Sequence, residues 1–109
     1  PGSPTTVSVT ADNQVIQVGT LSYIRLVSDN ATAANRTIVL TPPLCVGHML
    51  FLENASPSNH FHIAHGQANA SLAGTVYLAG AADYSTNRQK CGITLTSDGV
   101  NWIEMSRTN

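Results

Sequence analysis

The chain never settles into the i, i+3, i+4, i+7 apolar stripe of an amphipathic helix. It breaks instead into short runs rich in β-branched and aromatic residues, separated by Gly, Pro, Asn and Asp. Nine runs read as strands: residues 5–10, 15–18, 23–28, 36–41, 48–53, 60–65, 76–79, 92–97 and 101–106. Pro42 and Pro43 stop the fourth run by removing backbone donors. The Asp98-Gly99 step between the last two runs is a strong hairpin signal. Short strands at regular spacing predict an all-β domain, an antiparallel β-sandwich of the jelly-roll kind.

The runs differ in what their faces need. GITLT, residues 92–96, alternates, with Ile93 and Leu95 on a core face and Thr94 and Thr96 on a wet one. HMLFLE, residues 48–53, is apolar on both sides: Met49 and Phe51 point one way, Leu50 and Leu52 the other. One face would meet the core and the other a covering loop or a second subunit. In NWIEMSR, Ile103 and Met105 are expected to face the core. Trp102, Glu104 and Ser106 would then lie on the opposite side. A large indole on a non-core face suggests an interface, a ligand platform or packing under a loop.

Composition sharpens this picture. The 109 residues suffice for one domain, residues 5–109, with residues 1–4 (PGSP) read as a tag remnant or linker. Apolar residues make up 42% and charged residues only 10%, well below the roughly 25% usual in soluble domains. Arg25, Arg36, Arg88, Lys90 and Arg107 are scattered, which argues against a nucleic-acid partner. No stretch approaches 18 apolar residues, so membrane insertion by a helix is not expected. Cys45 and Cys91 form no motif and read as two thiols; a disulfide does not follow from spacing. Four Asn-x-Ser/Thr sequons, at Asn30, Asn35, Asn54 and Asn69, are expected by chance in a chain this rich in Asn, Ser and Thr.

The segment GITLTSDGVNWIEMSR resembles the C-terminal end of bacteriophage tailspike and tail-fibre proteins, and of some phage depolymerases. The matching residues are Asp98, Gly99, Trp102, Glu104, Ser106 and Arg107. HFHIAHGQANASLAG is similar to a strand pair of those families, with Gly66, Leu72, Ala73 and Gly74 in the matching places. RTIVLTPPLCVGHMLFLEN resembles their first half, and the likeness covers roughly residues 20 to 107. The resemblance implies a small β-sandwich that forms a homotrimer at the distal end of the spike. There it would assist assembly, lock the shaft or contact host glycans, outside the cell on the virion. The residues expected at the trimer interface are Met49, Phe51, Tyr77 and Trp102.

Candidate chemistry is sparse. HFHIAHG carries three of the four histidines, where the matching strand of the resembled families is rich in Thr or Asn. His60 and His62 share a strand face and could chelate a metal, but two ligands per chain are too few for a tight site. They are read as a polar strand face, with no cofactor expected. Asp12, Asp29 and Asp98 sit in turns, where they bond the backbone. With no nucleophile or phosphate-loop motif present, the chain is not expected to be an enzyme. Tyr84, Arg88 and Trp102 are the candidates for contact with a bacterial surface glycan, Tyr84 and Arg88 from the loop GAADYSTNRQK. An assembly and adhesion module is therefore the leading expectation, a carbohydrate-binding module the alternative, and a polysaccharide depolymerase domain the third reading.

Overall fold

A computed structural model describes residues 5–11, 13–28, 36–56, 60–66, 76–86 and 89–108. Residues 1–4, Asp12, Asp29, Asn30, Asn35, Asn69, Leu72, Ala73, Gly74 and Arg88, all singled out above, lie outside the described residues. The chain is all-β. Its strands are β1 (Thr5–Val9), β2 (Gln14–Ile16), β3 (Tyr23–Ser28), β4 (Arg36–Leu40) and β5 (Val46–Asn54). They continue as β6 (Phe61–Ile63), β7 (Val76–Tyr77), β8 (Tyr84–Ser85), β9 (Gly92–Asp98) and β10 (Trp102–Arg107). Among the described residues one 3-10 turn spans Ala79–Ala81. Each of the nine expected runs overlaps a strand; β8 lies in a segment read as loop.

The strands form a six-stranded sheet, ordered β1-β3-β5-β9-β10-β7, and a four-stranded sheet, ordered β2-β4-β6-β8. Through β9 the chain places successive strands alternately in the large and the small sheet. From β1 to β6, a strand that follows a crossing and a return enters its sheet in the same direction as its predecessor, whereas β8 reverses against β6. The pairs β1/β3, β3/β5, β2/β4 and β4/β6 are accordingly parallel, and β7 and β10, with β8 and β9 between them in the chain, also pair in parallel. Among the described residues only β5/β9, β9/β10 and β6/β8 are antiparallel. This corrects the expectation of an antiparallel, jelly-roll order. A parallel connection needs a crossover of many residues, and here a strand of the opposite sheet supplies it.

The inner faces of both sheets share one core. Ile24, Leu26, Leu50, Leu52, Ile93 and Leu95 come from the large sheet, and Ile16, Ile38, Leu40, Phe61 and Ile63 from the small one. Alternation puts Leu50 and Leu52 inside, with exposed Met49 and half-buried Phe51 outside. It likewise puts Ile93 and Leu95 inside and Thr94 and Thr96 outside. The hairpin between β9 and β10 closes as its sequence predicts. The Asp98 carboxylate accepts from the Val100 and Asn101 amides at 2.9 and 2.7 Å, and Gly99 takes a positive φ of 102°. These two amides and that of Asp98 itself, with the Asn101 side chain, hold the Asp98 carboxyl below its usual range.

β10 runs in the opposite phase to the one expected. Trp102 is 1% exposed and belongs to the core, whereas Ile103 and Met105 are exposed. The indole is the largest side chain in the strand and fills the space between the sheets. Its N–H donates to the Thr41 carbonyl at 2.9 Å, and the His48 ring meets it edge-on at 5.2 Å. Trp102 is therefore removed from both the interface and the glycan-contact expectations.

Candidate functional site

The outer face of the large sheet is where exposed apolar side chains collect. Register sets them in rows. Met49 lies opposite Thr96, Thr96 opposite Ile103, and Ile103 opposite Tyr77. This row crosses four strands without a charge, and its members Met49, Ile103 and Tyr77 are 47%, 36% and 48% exposed. The neighbouring row runs Tyr23, Phe51, Thr94, Ser106. Met105 stands exposed at the β-bulge between Glu104 and Ser106. Three of the four residues expected at an interface thus share one face, and Ile103 occupies the place expected of Trp102.

The floor of that face is shaped by Gly92. A Cβ there would lie 2.2 Å from the Leu52 carbonyl oxygen and 2.9 Å from the Phe51 ring. Without it the Phe51 ring settles over β9, where Tyr23 meets it edge-on at 5.3 Å. The next outward residue on β5 is Glu53. It accepts a short hydrogen bond from the Tyr23 hydroxyl and lies 3.4 Å from the Arg25 guanidinium. That hydrogen bond, above all, raises the Tyr23 phenol above its ordinary pKa. The charged pair marks one limit of the apolar rows.

The C-terminal motif works as a clasp. Glu104 accepts from Arg107 at 2.7 and 2.8 Å and from the Ala79 amide at 2.8 Å. The Arg107 hydrogen bond is the main reason the Glu104 carboxyl sits below the usual range, and it raises Arg107 in turn. Arg107 also donates to the Ala82 and Asp83 carbonyls and lies 5.1 Å above the Tyr84 ring. Tyr84, expected in a loop contacting glycan, is instead buried on β8. Its hydroxyl donates to the Thr108 carbonyl at 2.8 Å, and burial pushes its phenol pKa up. A ring enclosed on both sides cannot stack on a sugar, so Tyr84 is withdrawn as a glycan contact.

The histidines take separate tasks. Asn54 Nδ2 donates to His60 Nδ1 at 3.0 Å, with its orientation fixed because Asn54 Oδ1 accepts from the Ser56 amide. His62 sits on β6 with Nε2 3.4 Å from the Asp83 carboxylate and Nδ1 2.5 Å from the Ser85 hydroxyl. His65 Nδ1 accepts from the Leu78 amide at 2.9 Å, and its own amide donates to Asp83 at 2.8 Å. His60 and His62 thus face different partners. Among the described residues no three His, Cys, Asp or Glu side chains come together as a metal site would require. Cys45 is exposed and Cys91 buried, and the two are not joined in a disulfide. Among the described residues no helix is long and apolar enough to cross a membrane.

Sequence reasoning missed Ile103 and Met105 as surface residues. The available signal was the size of Trp102, which a count of apolar positions per face does not weigh. Comparison with protein-family models and with curated proteins finds no match.

Proposed function

We propose that the chain is the C-terminal assembly and host-adhesion module of a bacteriophage tailspike or tail fibre, acting on the virion outside the cell. Three copies bury the outer faces of their large sheets against one another. One observation carries this reading: the uncharged row Met49–Thr96–Ile103–Tyr77 lies on a sheet whose inner face is already filled by its own core. Among the described residues nothing covers Met49, Ile103 and Tyr77. Burial yields about 25 cal/mol per Å² of apolar surface removed from water, and association ties stability to protomer concentration. The resemblance of residues 92–107 to phage spike termini and the low charge support the same reading.

Light scattering tests it. The expected mass is three times 11.5 kDa, and Ile103→Asp, which places a carboxylate in the row, should give a folded monomer. A monomeric parent chain would overturn the proposal. The carbohydrate-binding alternative has Tyr23 and Tyr77 as its exposed rings. It predicts a Tyr77→Ala protein of unchanged mass that no longer retains bacterial polysaccharide.

A further inference from the structure

His62, Asp83 and Ser85 meet on the outer face of the small sheet. Phe61, Ile63 and Tyr84 belong to the core, so alternation turns His62 on β6 and Ser85 on β8 to the opposite side. The two residues are partners in the β6/β8 ladder. The Thr86 amide donates to the Phe61 carbonyl at 3.1 Å, which makes His62 and Ser85 the next pair along, the kind without backbone bonds between its members. Side chains approach most closely at such pairs. The Thr86 hydroxyl accepts from the Phe61 amide at 3.1 Å as well, and so fixes β8 against β6.

Strand geometry therefore sets the Ser85 hydroxyl against His62 Nδ1, at 2.5 Å. The far ring nitrogen, Nε2, lies 3.4 Å from one Asp83 carboxylate oxygen. The other Asp83 oxygen accepts from the His65 amide at 2.8 Å, and the Asp83 carbonyl accepts from Arg107 at 3.4 Å. The His65 bond is the main reason the Asp83 carboxyl sits below its usual range. An ionised carboxylate only accepts. The neutral imidazole accordingly keeps its proton on Nε2 and offers the Nδ1 lone pair to the hydroxyl. A hydroxyl joined to a base, with the base oriented by a third group, is the arrangement that activates a nucleophile. The ring nitrogens are used the other way round from the familiar Ser-His-Asp triad, but roles follow geometry, and either nitrogen can take a proton.

We propose that Ser85 is the nucleophile of a hydrolytic site for short-chain carboxylic esters, with His62 as its base and Asp83 as the positioning residue. The Ser85 oxygen attacks the ester carbonyl carbon and hands its proton to His62 Nδ1. The bond from that carbon to the alcohol oxygen breaks, and the leaving oxygen takes the proton. Water then attacks the acyl group on Ser85, its proton passes through Nδ1 to the serine oxygen, and the acid departs. Ester and water give acid and alcohol, with no other reactant. The His62 and Asp83 side chains are 26% and 54% exposed, so the site stands open at the surface. A short acyl group that projects from its carrier reaches it there. This proposal does not rest on the trimer, which buries the outer face of the other sheet, so a monomeric mass leaves it intact.

The ester para-nitrophenyl acetate tests it. After brief exposure and an acid quench, peptide mass mapping should find the acetyl group on Ser85. Release of para-nitrophenolate should fall at least about tenfold in Ser85→Ala and in His62→Gln, each with the circular dichroism spectrum of the parent. Asp83→Asn should lower kcat at least about tenfold and leave KM unchanged, a split that loosening of the fold would not give. Asp83→Glu should recover part of kcat. Acetyl groups found on histidine or lysine and none on Ser85 would overturn the proposal, and that result requires no variant to fold. A Ser85→Ala or His62→Gln protein as fast as the parent would overturn it too.

Discussion

Trp102 joins the two sheets through one side chain: its ring fills core space beside His48 and its N–H reaches Thr41, at the end of the small sheet's β4. Trp102→Ala should cost about 3–5 kcal/mol, the range for emptying a buried aromatic site, read from denaturant unfolding. Trp102→Phe keeps most of the volume and leaves the Thr41 carbonyl unmet, which should cost about 1–3 kcal/mol. Glu104 gives a pH signature. Its folded pKa is lowered, chiefly by Arg107, so its contribution is complete above the ordinary Glu value of about 4.3 and is lost as pH falls through the folded value. Thermal melts between pH 7 and 3 should show a drop for the parent that Glu104→Gln flattens. At this scale the sequence was partly legible. The opposite faces of Met49 and Leu50, and of Thr94 and Leu95, followed from alternation. The phase of β10 did not, because Trp102, Ile103 and Met105 place apolar groups on both faces and only the shape of the core decides between them.

At the scale of elements, β5 and β9 form the centre of the large sheet, and Gly92 sets how closely they pack. Gly92→Ala would push a methyl group into the Leu52 carbonyl and the Phe51 ring. It should destabilise by about 1–3 kcal/mol, as overpacking does, measured as a shift in the unfolding midpoint. The strands themselves were readable because β-branched runs and turn residues are local signals. The Asp98-Gly99 hairpin was readable for the same reason. Pairing direction was not. Tyr23 meets Phe51 across the β3/β5 ladder, and nothing near either residue announces a partner so far along the chain. β8 was missed because its two residues, Tyr84 and Ser85, are too few to show a period. Of the residues that carry the resemblance, Glu104 and Arg107 close the fold and Trp102 fills its core.

At the scale of the whole molecule, the fold has a filled interior, an apolar outer face on one sheet and the His62, Asp83 and Ser85 group on the other. If the face assembles copies, the melting temperature should rise with protein concentration for the parent and stay constant for Ile103→Asp, a comparison calorimetry can make. Long-separated ladders of this kind also predict slow folding, in milliseconds to seconds. One feature sharpens that expectation. Among the described residues β7 has a single strand neighbour, β10, with β8 and β9 between them in the chain. Tyr77 and its segment must therefore wait, unanchored on the sheet, until the ribosome has delivered Trp102 and Ile103. A nascent chain halted before that point would show its greasy rim to chaperones and proteases, so arrival of the last hairpin is what shelters β7.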